Sequence, residues 1–312
     1  MSDATAITEF WDSNVGKHRD DFHHSDSVKA IADFISFRIA GSDAVSPFVR
    51  AVETYGPFDT IAEVGCGDGS LLTTLASRWP NSSYHGFDIS PGSLALAKQN
   101  CAAFTNTRME FNTVDLNVER LPHRSFDAIF ATGTMHHIEK QDFAFASLAA
   151  CLRPRGVLVL NDYFGPARMQ WSDTTLRLGA ELLAMVPQKW RLRDQIWKHK
   201  ASEIEAMDPS ETVASHQMNE ALIAHFNVLE RHYKPGTLLG PIFGTGALSP
   251  EMRDTQEGRQ TLRVLVEVEA DMVDRGVLQP DGFFVVASPR RNTDTLVADL
   301  FNSRWRGLSP KA

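Results

Sequence analysis

Short β-rich runs alternate with helical patterns between residues 60 and 161, and this alternation limits the possible folds more than any other feature. Helical patterns follow Gly69, Ser90-Pro91 and Gln141, and Ser90-Pro91 is typical of a helix start, with a serine at the N-cap and a proline at N1. Strands that alternate with helices predict a parallel, doubly wound α/β sheet. The predicted strands are 60–64, 83–88, 109–113, 126–131 and 157–161.

The regions on either side of this alternation predict a cap and an insertion. Residues 1–57 predict an N-terminal helical cap, because apolar residues from Val28 to Ile39 recur at helical spacing before Gly41. Two helical patterns without a strand between them predict a helical insertion after the fifth strand. The predicted organisation is a cap (1–57), an α/β core (58–166), an insertion (167–225) and a region that completes the sheet (226–312). In this last region the sequence predicts a strand at 227–233, a loop at 235–250, a long helix within 251–275 and a strand at 282–288.

Composition excludes several classes of protein. The net charge of −8 over 312 residues disfavours general binding to nucleic acid or anionic membranes, which needs a basic surface. Three widely spaced cysteines indicate a reduced compartment without a disulfide framework. Neither a secretory leader nor an apolar run of about 20 residues is recognisable. These features predict a cytoplasmic protein without a membrane or nucleic-acid partner.

The stretch IAEVGCGDGSLL at residues 61–72 predicts a glycine turn between the first strand and its helix. In an open parallel sheet, ligands bind beyond the carboxyl ends of the strands, so this turn predicts a cofactor site. Glu63 and Asp68 would repel a pyrophosphate, and Ser70 stands where the dinucleotide fingerprint has glycine. The charges therefore favour a ligand that carries positive charge over a nicotinamide dinucleotide.

The motif EVGCGDG resembles the first motif of class I S-adenosylmethionine-dependent methyltransferases, and FDAIFATGTMHHI and LRPRGVLVLNDY resemble their fourth and fifth strands. The resemblance covers residues 60–166 closely and 226–290 loosely. It implies a Rossmann-like seven-stranded methyltransferase fold with S-adenosylmethionine as the cofactor. It also implies an adenine contact for Asp115 and Leu116, a ribose contact for Asp88, and a cover over the methionine end for Trp11. The cofactor-binding residues implied are Trp11, Glu63, Gly65, Cys66, Gly67, Asp88, Ile89, Asp115, Leu116 and Thr132.

Candidate catalytic residues follow the fourth and fifth strands. Methyl transfer mainly requires alignment of the acceptor, and a general base is needed only when the acceptor must lose a proton. His136 is the preferred base, because imidazole titrates near neutral pH, and His137 and Tyr163 are further candidates. Helix-start or packing roles are the alternative for the two histidines.

We expect no catalytic metal, because adjacent His136-His137 lacks the spacing of common ligand pairs. The basic and aromatic stretch at 189–200 has two interpretations. It grips an anionic acceptor through Arg191, Arg193 or Lys198, or it is the solvated face of a helix, which is the commoner case.

The sequence predicts transfer of a methyl group to a small molecule of a bacterial biosynthetic pathway, with oxygen favoured over nitrogen or carbon. The alternatives are a cofactor-binding enzyme for another step such as a cyclisation, a nicotinamide-dependent oxidoreductase, a non-catalytic binding module, and a methyltransferase for RNA or protein. A homodimer is one assembly that the sequence leaves open.

Overall fold

Seven strands form one sheet in the computed structural model, which describes residues 4–15 and 29–291. The strands are β1 (Thr60–Val64), β2 (Ser83–Asp88), β3 (Met109–Thr113), β4 (Phe126–Thr132), β5 (Leu152–Tyr163), β6 (Phe226–Lys234) and β7 (Gly282–Pro289). Their order is β3-β2-β1-β4-β5-β7-β6, and β7 runs antiparallel to both of its neighbours. The other strand pairs are parallel. The predicted doubly wound, mostly parallel seven-stranded sheet is confirmed.

Helices surround this sheet and form the predicted cap and insertion. Among the described residues, three helices precede β1: α1 (Ala4–Ser13), α2 (Lys29–Ala40) and α3 (Pro47–Tyr55). The helices α4 (Ser70–Arg78), α5 (Pro91–Asn100) and α6 (Gln141–Cys151) connect the first five strands. The insertion contains α7 (Asp173–Ala184), α8 (Ala201–Met207) and α9 (Met218–His225), and α10 (Leu239–Gly244) and α11 (Gln256–Asp274) lie between β6 and β7. In the described part of the chain, no helix combines the length and the apolar character needed to cross a bilayer.

The strand order places a crevice at the carboxyl end of β1. β1 lies between β2 and β4, so the connections leaving it and β4 go to opposite faces of the sheet. Val64, the last residue of β1, is paired with Phe87 on one side and Ala131 on the other. Two buried apolar clusters hold the sheet, one containing Ile61 and the other Ala62 and Val64. This alternation fixes which side chains of β1 face each layer.

Four of the seven strands differ in their bounds from the sequence prediction. β6 begins and ends one residue outside 227–233, and β7 ends one residue later than predicted. β4 extends one residue further, to Thr132, and β5 covers residues 152–163 instead of 157–161. β5 is longer because it begins directly after α6 and pairs with both β4 and β7. Its extension brings Asp162 and Tyr163 into the sheet, next to the loop that follows β4.

The interpretation of residues 189–200 as a helix face is wrong. Only a 3₁₀ turn at Gln188–Trp190 forms, and Arg191 then pairs in a β-bridge with Leu248. The amide of Leu192 donates to the carbonyl of Ala247 at 2.8 Å. A distant segment therefore supplies the backbone partners that helical hydrogen bonds would otherwise provide.

The predicted loop at 235–250 also needs correction, because it contains α10. Glu269 of α11 is fully buried, and its two carboxylate oxygens accept the amides of residues 236–239 at 2.6–3.0 Å. These amides include the donors at the start of a helix that have no partner within it, so the carboxylate stabilises a helix that Gly240 and Pro241 disfavour. The part of the predicted cap helix at Val28, and residues 292–312 of the region that completes the sheet, lie outside the described residues.

Candidate functional site

The glycine turn after β1 is held in a left-handed backbone conformation. Gly65, Gly67 and Gly69 have φ values of 63°, 51° and 74°, which side chains of L-residues rarely adopt. A Cβ atom at Gly65 would lie 2.1 Å from Oγ1 of Thr134, whereas one at Gly67 would meet nothing within 4 Å. Gly65 therefore allows the loop after β4 to approach, and Gly67 leaves open space beside the turn. Cys66 is buried, and its amide donates to Phe87 at 3.0 Å.

Glu63 brings a carboxyl group beneath this turn. Its side chain is 4% exposed, and Oε2 has no hydrogen-bond partner among the described residues. Burial, followed by the negative charge of Asp88, raises the pKa of Glu63 well above its ordinary value. A buried carboxyl group with one unpaired oxygen fits a ligand that donates hydrogen bonds or carries positive charge.

Asp88 at the end of β2 holds two loops together. Its Oδ2 accepts the amide of Gly67 at 2.9 Å, and its Oδ1 accepts the amide of Ser90 at 2.9 Å. Burial raises the pKa of this carboxyl despite these bonds. Ile89 beside it is half-buried. Asp68 has a structural role, because its Oδ1 accepts the amide of Ser70 at 3.0 Å at the start of α4.

The loop after β3 lies at the same edge of the sheet. Oδ1 of Asp115 accepts both the amide and the side-chain amide of Asn117, at 2.8 and 3.1 Å, and Leu116 is buried in the second apolar cluster. Oδ1 of Asn117 in turn accepts the amides of residues 139 and 140. The loop that carries Asp115 is thus fixed against the segment that follows the histidine pair.

Thr132 ends β4, and its buried Oγ1 has no hydrogen-bond partner in the described residues. The hydroxyl of Thr134 donates to the backbone carbonyl of Thr132 at 3.1 Å, and the side chain of Thr134 lies against Gly65. The structure therefore gathers the predicted cofactor residues Glu63, Gly65, Asp88 and Thr132, together with their sequence neighbours, around the crevice at the end of β1.

Asp162 organises the loop after β4 from the neighbouring strand. This carboxylate is fully buried and accepts the amides of Thr134, Met135 and Tyr163 at 2.7–3.0 Å. Its Oδ1 also contacts Nδ1 of His136 at 2.5 Å. Burial lowers the pKa of His136, but the charges of Asp162 and Glu211 outweigh burial and raise it to about 9. A ring that holds a proton donates hydrogen bonds, so the base role predicted for His136 requires that proton to leave first.

His137 is held by the insertion. Its Nδ1 lies 3.1 Å from the hydroxyl of Ser210 and 3.7 Å from Oδ2 of Asp208, and its ring is 4.0 Å from that of His136. Nε2 of His136 lies 3.8 Å from Oε1 of Glu211. Sequence reasoning missed these three insertion residues, although the acids in DPSE at 208–211 were a visible signal.

Arg168 fixes the insertion segment that carries these groups. Its guanidinium donates to the carbonyls of Glu211 and Pro209, both at 3.0 Å, and its amide donates to the carbonyl of Thr212 at 3.0 Å. Arg168 itself has a φ of 52°, in the left-handed region. A strained backbone held by several hydrogen bonds indicates that the fold fixes residues 209–212 in one position.

Tyr163 and Trp11 are the two aromatic residues predicted to contribute to the site. The pKa of Tyr163 is raised well above its ordinary value, first by burial and then by the charges of Asp281 and Glu211. The ring of Trp11 contacts the ring of His137 edge to face, with centroids 5.0 Å apart. The next residue, Asp12, accepts the hydroxyl of Ser90 at 2.5 Å and the amide of Gly92 at 2.9 Å, which docks α1 on the start of α5.

The cations of residues 189–200 contact their own neighbours. Arg191 pairs with Asp194 at 3.0 Å, Lys198 donates to the carbonyl of Trp171 at 3.2 Å, and Arg193 lies over the ring of Trp197. The groups around the histidine pair are mainly acidic. The predicted grip on an anionic acceptor by this stretch therefore gains no support from its contacts.

A family model described as a methyltransferase domain matches residues 62–158, from β1 into β5. Residues 62–158 are therefore assigned to a methyltransferase domain. An uncharacterized methyltransferase of Mycobacterium bovis is 31% identical over 107 residues, which cover 34% of this chain and 52% of that protein. A trans-aconitate 2-methyltransferase of Escherichia coli O157:H7 is 25% identical over 74% of this chain and 84% of its own length. The chain spans only about half of the mycobacterial relative.

A solved structure supports the methyltransferase fold outside the matched domain. The geranyl diphosphate C-methyltransferase of Streptomyces coelicolor, in complex with Mg²⁺, geranyl diphosphate and S-adenosyl-L-homocysteine, has a TM-score of 0.51. The comparison covers 93% of this chain and 97% of that one at 12% identity. At this identity the likeness concerns the fold alone, and it extends the fold assignment beyond the methyltransferase domain to most of the chain.

Proposed function

We propose that this protein transfers a methyl group from S-adenosylmethionine to a hydroxyl group of a small molecule. The observation that carries the proposal is the buried Glu63, with its unpaired Oε2, beneath a glycine turn that opens beside Gly67. The cofactor carries a sulfonium and an ammonium, and it would supply a methyl group that is already activated for transfer. Glu63, Asp88 and the amides of the turn are the groups that would hold it.

The histidine pair is the proposed acceptor site. His136, His137 and Glu211 follow elements that meet at the crevice, and Asp162 fixes the ring of His136. A hydroxyl must lose its proton as the methyl group arrives, and this cluster offers the groups that would bind the hydroxyl and receive that proton. Trp11 on α1 would exclude water from the same side. The small-molecule acceptor is in keeping with the relatives, two of which are named for trans-aconitate and geranyl diphosphate.

The pathway is proposed to be a bacterial biosynthetic one, as the sequence predicts. Methylation at carbon is the second candidate, because the structural neighbour from Streptomyces coelicolor is named a C-methyltransferase. The two are separated by the product: the new methyl group is on oxygen in one case and on carbon in the other, as read from its ¹³C chemical shift after reaction with ¹³C-labelled S-adenosylmethionine.

Calorimetric titration of the purified protein with S-adenosylhomocysteine, and separately with NAD, tests the cofactor. We expect micromolar binding of the first and none of the second. Glu63→Gln should weaken S-adenosylhomocysteine about tenfold or more, since it removes a carboxylate that would pair with the ammonium group of the ligand. The control is Glu53→Gln, a half-exposed acid on α3, which should bind as the unchanged protein does. Binding of NAD alone would refute the proposal.

A further inference from the structure

We propose that His136, His137 and Glu211 bind a divalent transition-metal ion that holds the acceptor oxygen, in place of the metal-free site expected from the sequence. The inference rests on the proposed function and gives its acceptor site a specific chemistry. One donor atom from each of these residues lies within 4.8 Å of the other two. Two imidazoles and a carboxylate are donors that Zn²⁺, Mn²⁺ and Fe²⁺ accept, and the remaining coordination positions stay open for substrate.

The distances require only small adjustments. Two ligands bound to one zinc ion at 2.0–2.1 Å in tetrahedral geometry lie about 3.3 Å apart. Nε2 of His136 and Oε1 of Glu211 are already 3.8 Å apart. The three side chains are half-buried, so rotation of Glu211 and small shifts of the two rings can bring the set to bonding distance without unfolding any element.

The groups behind the histidines strengthen the argument. A metal-bound histidine usually has its second ring nitrogen bonded to a carboxylate, a carbonyl or water, which fixes the ring. Nδ1 of His136 contacts the buried carboxylate of Asp162 at 2.5 Å. Nδ1 of His137 lies 3.1 Å from the hydroxyl of Ser210, with Asp208 beyond it. Both rings are therefore oriented through Nδ1, and Nε2 is the atom that each would offer.

The charge of the surroundings also fits a cation. The carboxylates of Asp162, Asp208 and Glu211 lie within 4 Å of the two rings, and Lys234 is the cation whose charge acts on His136. A divalent ion would compensate this excess of negative charge. It would also lower the pKa of a bound hydroxyl, which is the proton loss that methylation at oxygen requires. Arg168 specifies the position of the segment that supplies Glu211.

Protein stripped of metal by a chelator and then titrated with Co²⁺ tests the site through its visible absorption. We expect one equivalent to bind with bands of a four- or five-coordinate ion, and Zn²⁺ to displace it. Glu211→Gln and His137→Gln should each weaken Co²⁺ about 100-fold, since each removes a direct ligand. The matched control is His85→Gln on β2, which lies against Phe126 at the start of β4 and not at its end, and which should bind as the unchanged protein does.

The outcomes are decisive in both directions. Stoichiometric binding that is lost in either ligand variant and kept in the control supports the site. No binding at all, affinity unchanged from the original protein in Glu211→Gln and His137→Gln, or loss of binding only in the control overturns it. S-adenosylhomocysteine is titrated into the same samples. If it binds while Co²⁺ does not, the metal site falls and the methyltransferase proposal stands. If Co²⁺ binds while S-adenosylhomocysteine does not, the metal-binding cluster stands and the methyltransferase proposal falls.

Discussion

Alanine at two glycines of the same turn should destabilise the protein to different extents. Gly65 and Gly67 both have positive φ, so Gly→Ala at either position should cost about 1–2 kcal/mol of backbone strain. At Gly65 the new Cβ would also lie 2.8 Å from Cβ of Thr134, an atom that no rotamer change moves. This overlap should add about 1–3 kcal/mol, because the loop after β4 must shift. At Gly67 no such overlap exists.

Urea unfolding at equilibrium measures the difference. We expect Gly65→Ala to lose about 2–5 kcal/mol of unfolding free energy, and Gly67→Ala to lose about 1–2 kcal/mol. Gly67→Ala should nevertheless bind S-adenosylhomocysteine poorly, because its methyl group occupies the open space beside the turn. Thr134→Gly should restore part of the stability of Gly65→Ala by removing the overlapping atoms. Equal losses in the two variants, or no recovery in the double variant, would refute the steric reasoning.

Three further predictions concern acidic side chains. Burial raises the pKa of Asp281 to about 7. The contribution of this group to stability is therefore fully present below about pH 4 and is lost as the pH rises through 7. Asp281→Asn should raise the unfolding free energy by about 2–4 kcal/mol at pH 8 and leave it unchanged at pH 4. Glu269→Gln should lose about 2–4 kcal/mol in urea unfolding, because an amide NH₂ would face two backbone donors; an unchanged midpoint would contradict this. Asp12→Ala removes the acceptor for Ser90 and Gly92, and should cost about 1 kcal/mol and speed proteolysis of α1, whereas an unchanged cleavage rate would argue against docking through Asp12.

The sequence predicted the sheet well because periodicity and turn residues are local signals. The bounds of β1, β2 and β3 agree with the prediction, and the glycine turn lies where the EVGCGDG motif placed it. Residues at consecutive strand ends could therefore be expected to meet at one edge of the sheet. The roles assigned to individual residues in binding and catalysis stay predictions.

The errors have non-local causes. α10 depends on Glu269, about 30 residues further along the chain, and residues 191–192 are drawn into extended pairing by residues 247–248. The sequence prediction of the proposed acceptor site was incomplete for the same reason. Glu211 and Asp208 reach the histidines only because the insertion folds back across the end of β5, and no periodic pattern records that contact.

The carboxylate of Asp162 has a consequence for the order in which the molecule folds. It accepts three amides and one imidazole nitrogen, and two of those amides and the imidazole belong to the loop after β4. That loop therefore cannot reach its final shape until β5 has joined the sheet, and the histidine pair matures after the strands that flank it. Asp162 also lies just beyond residue 158, where the family match ends. The family match therefore includes the glycine turn and excludes the carboxylate that holds the histidine loop in place.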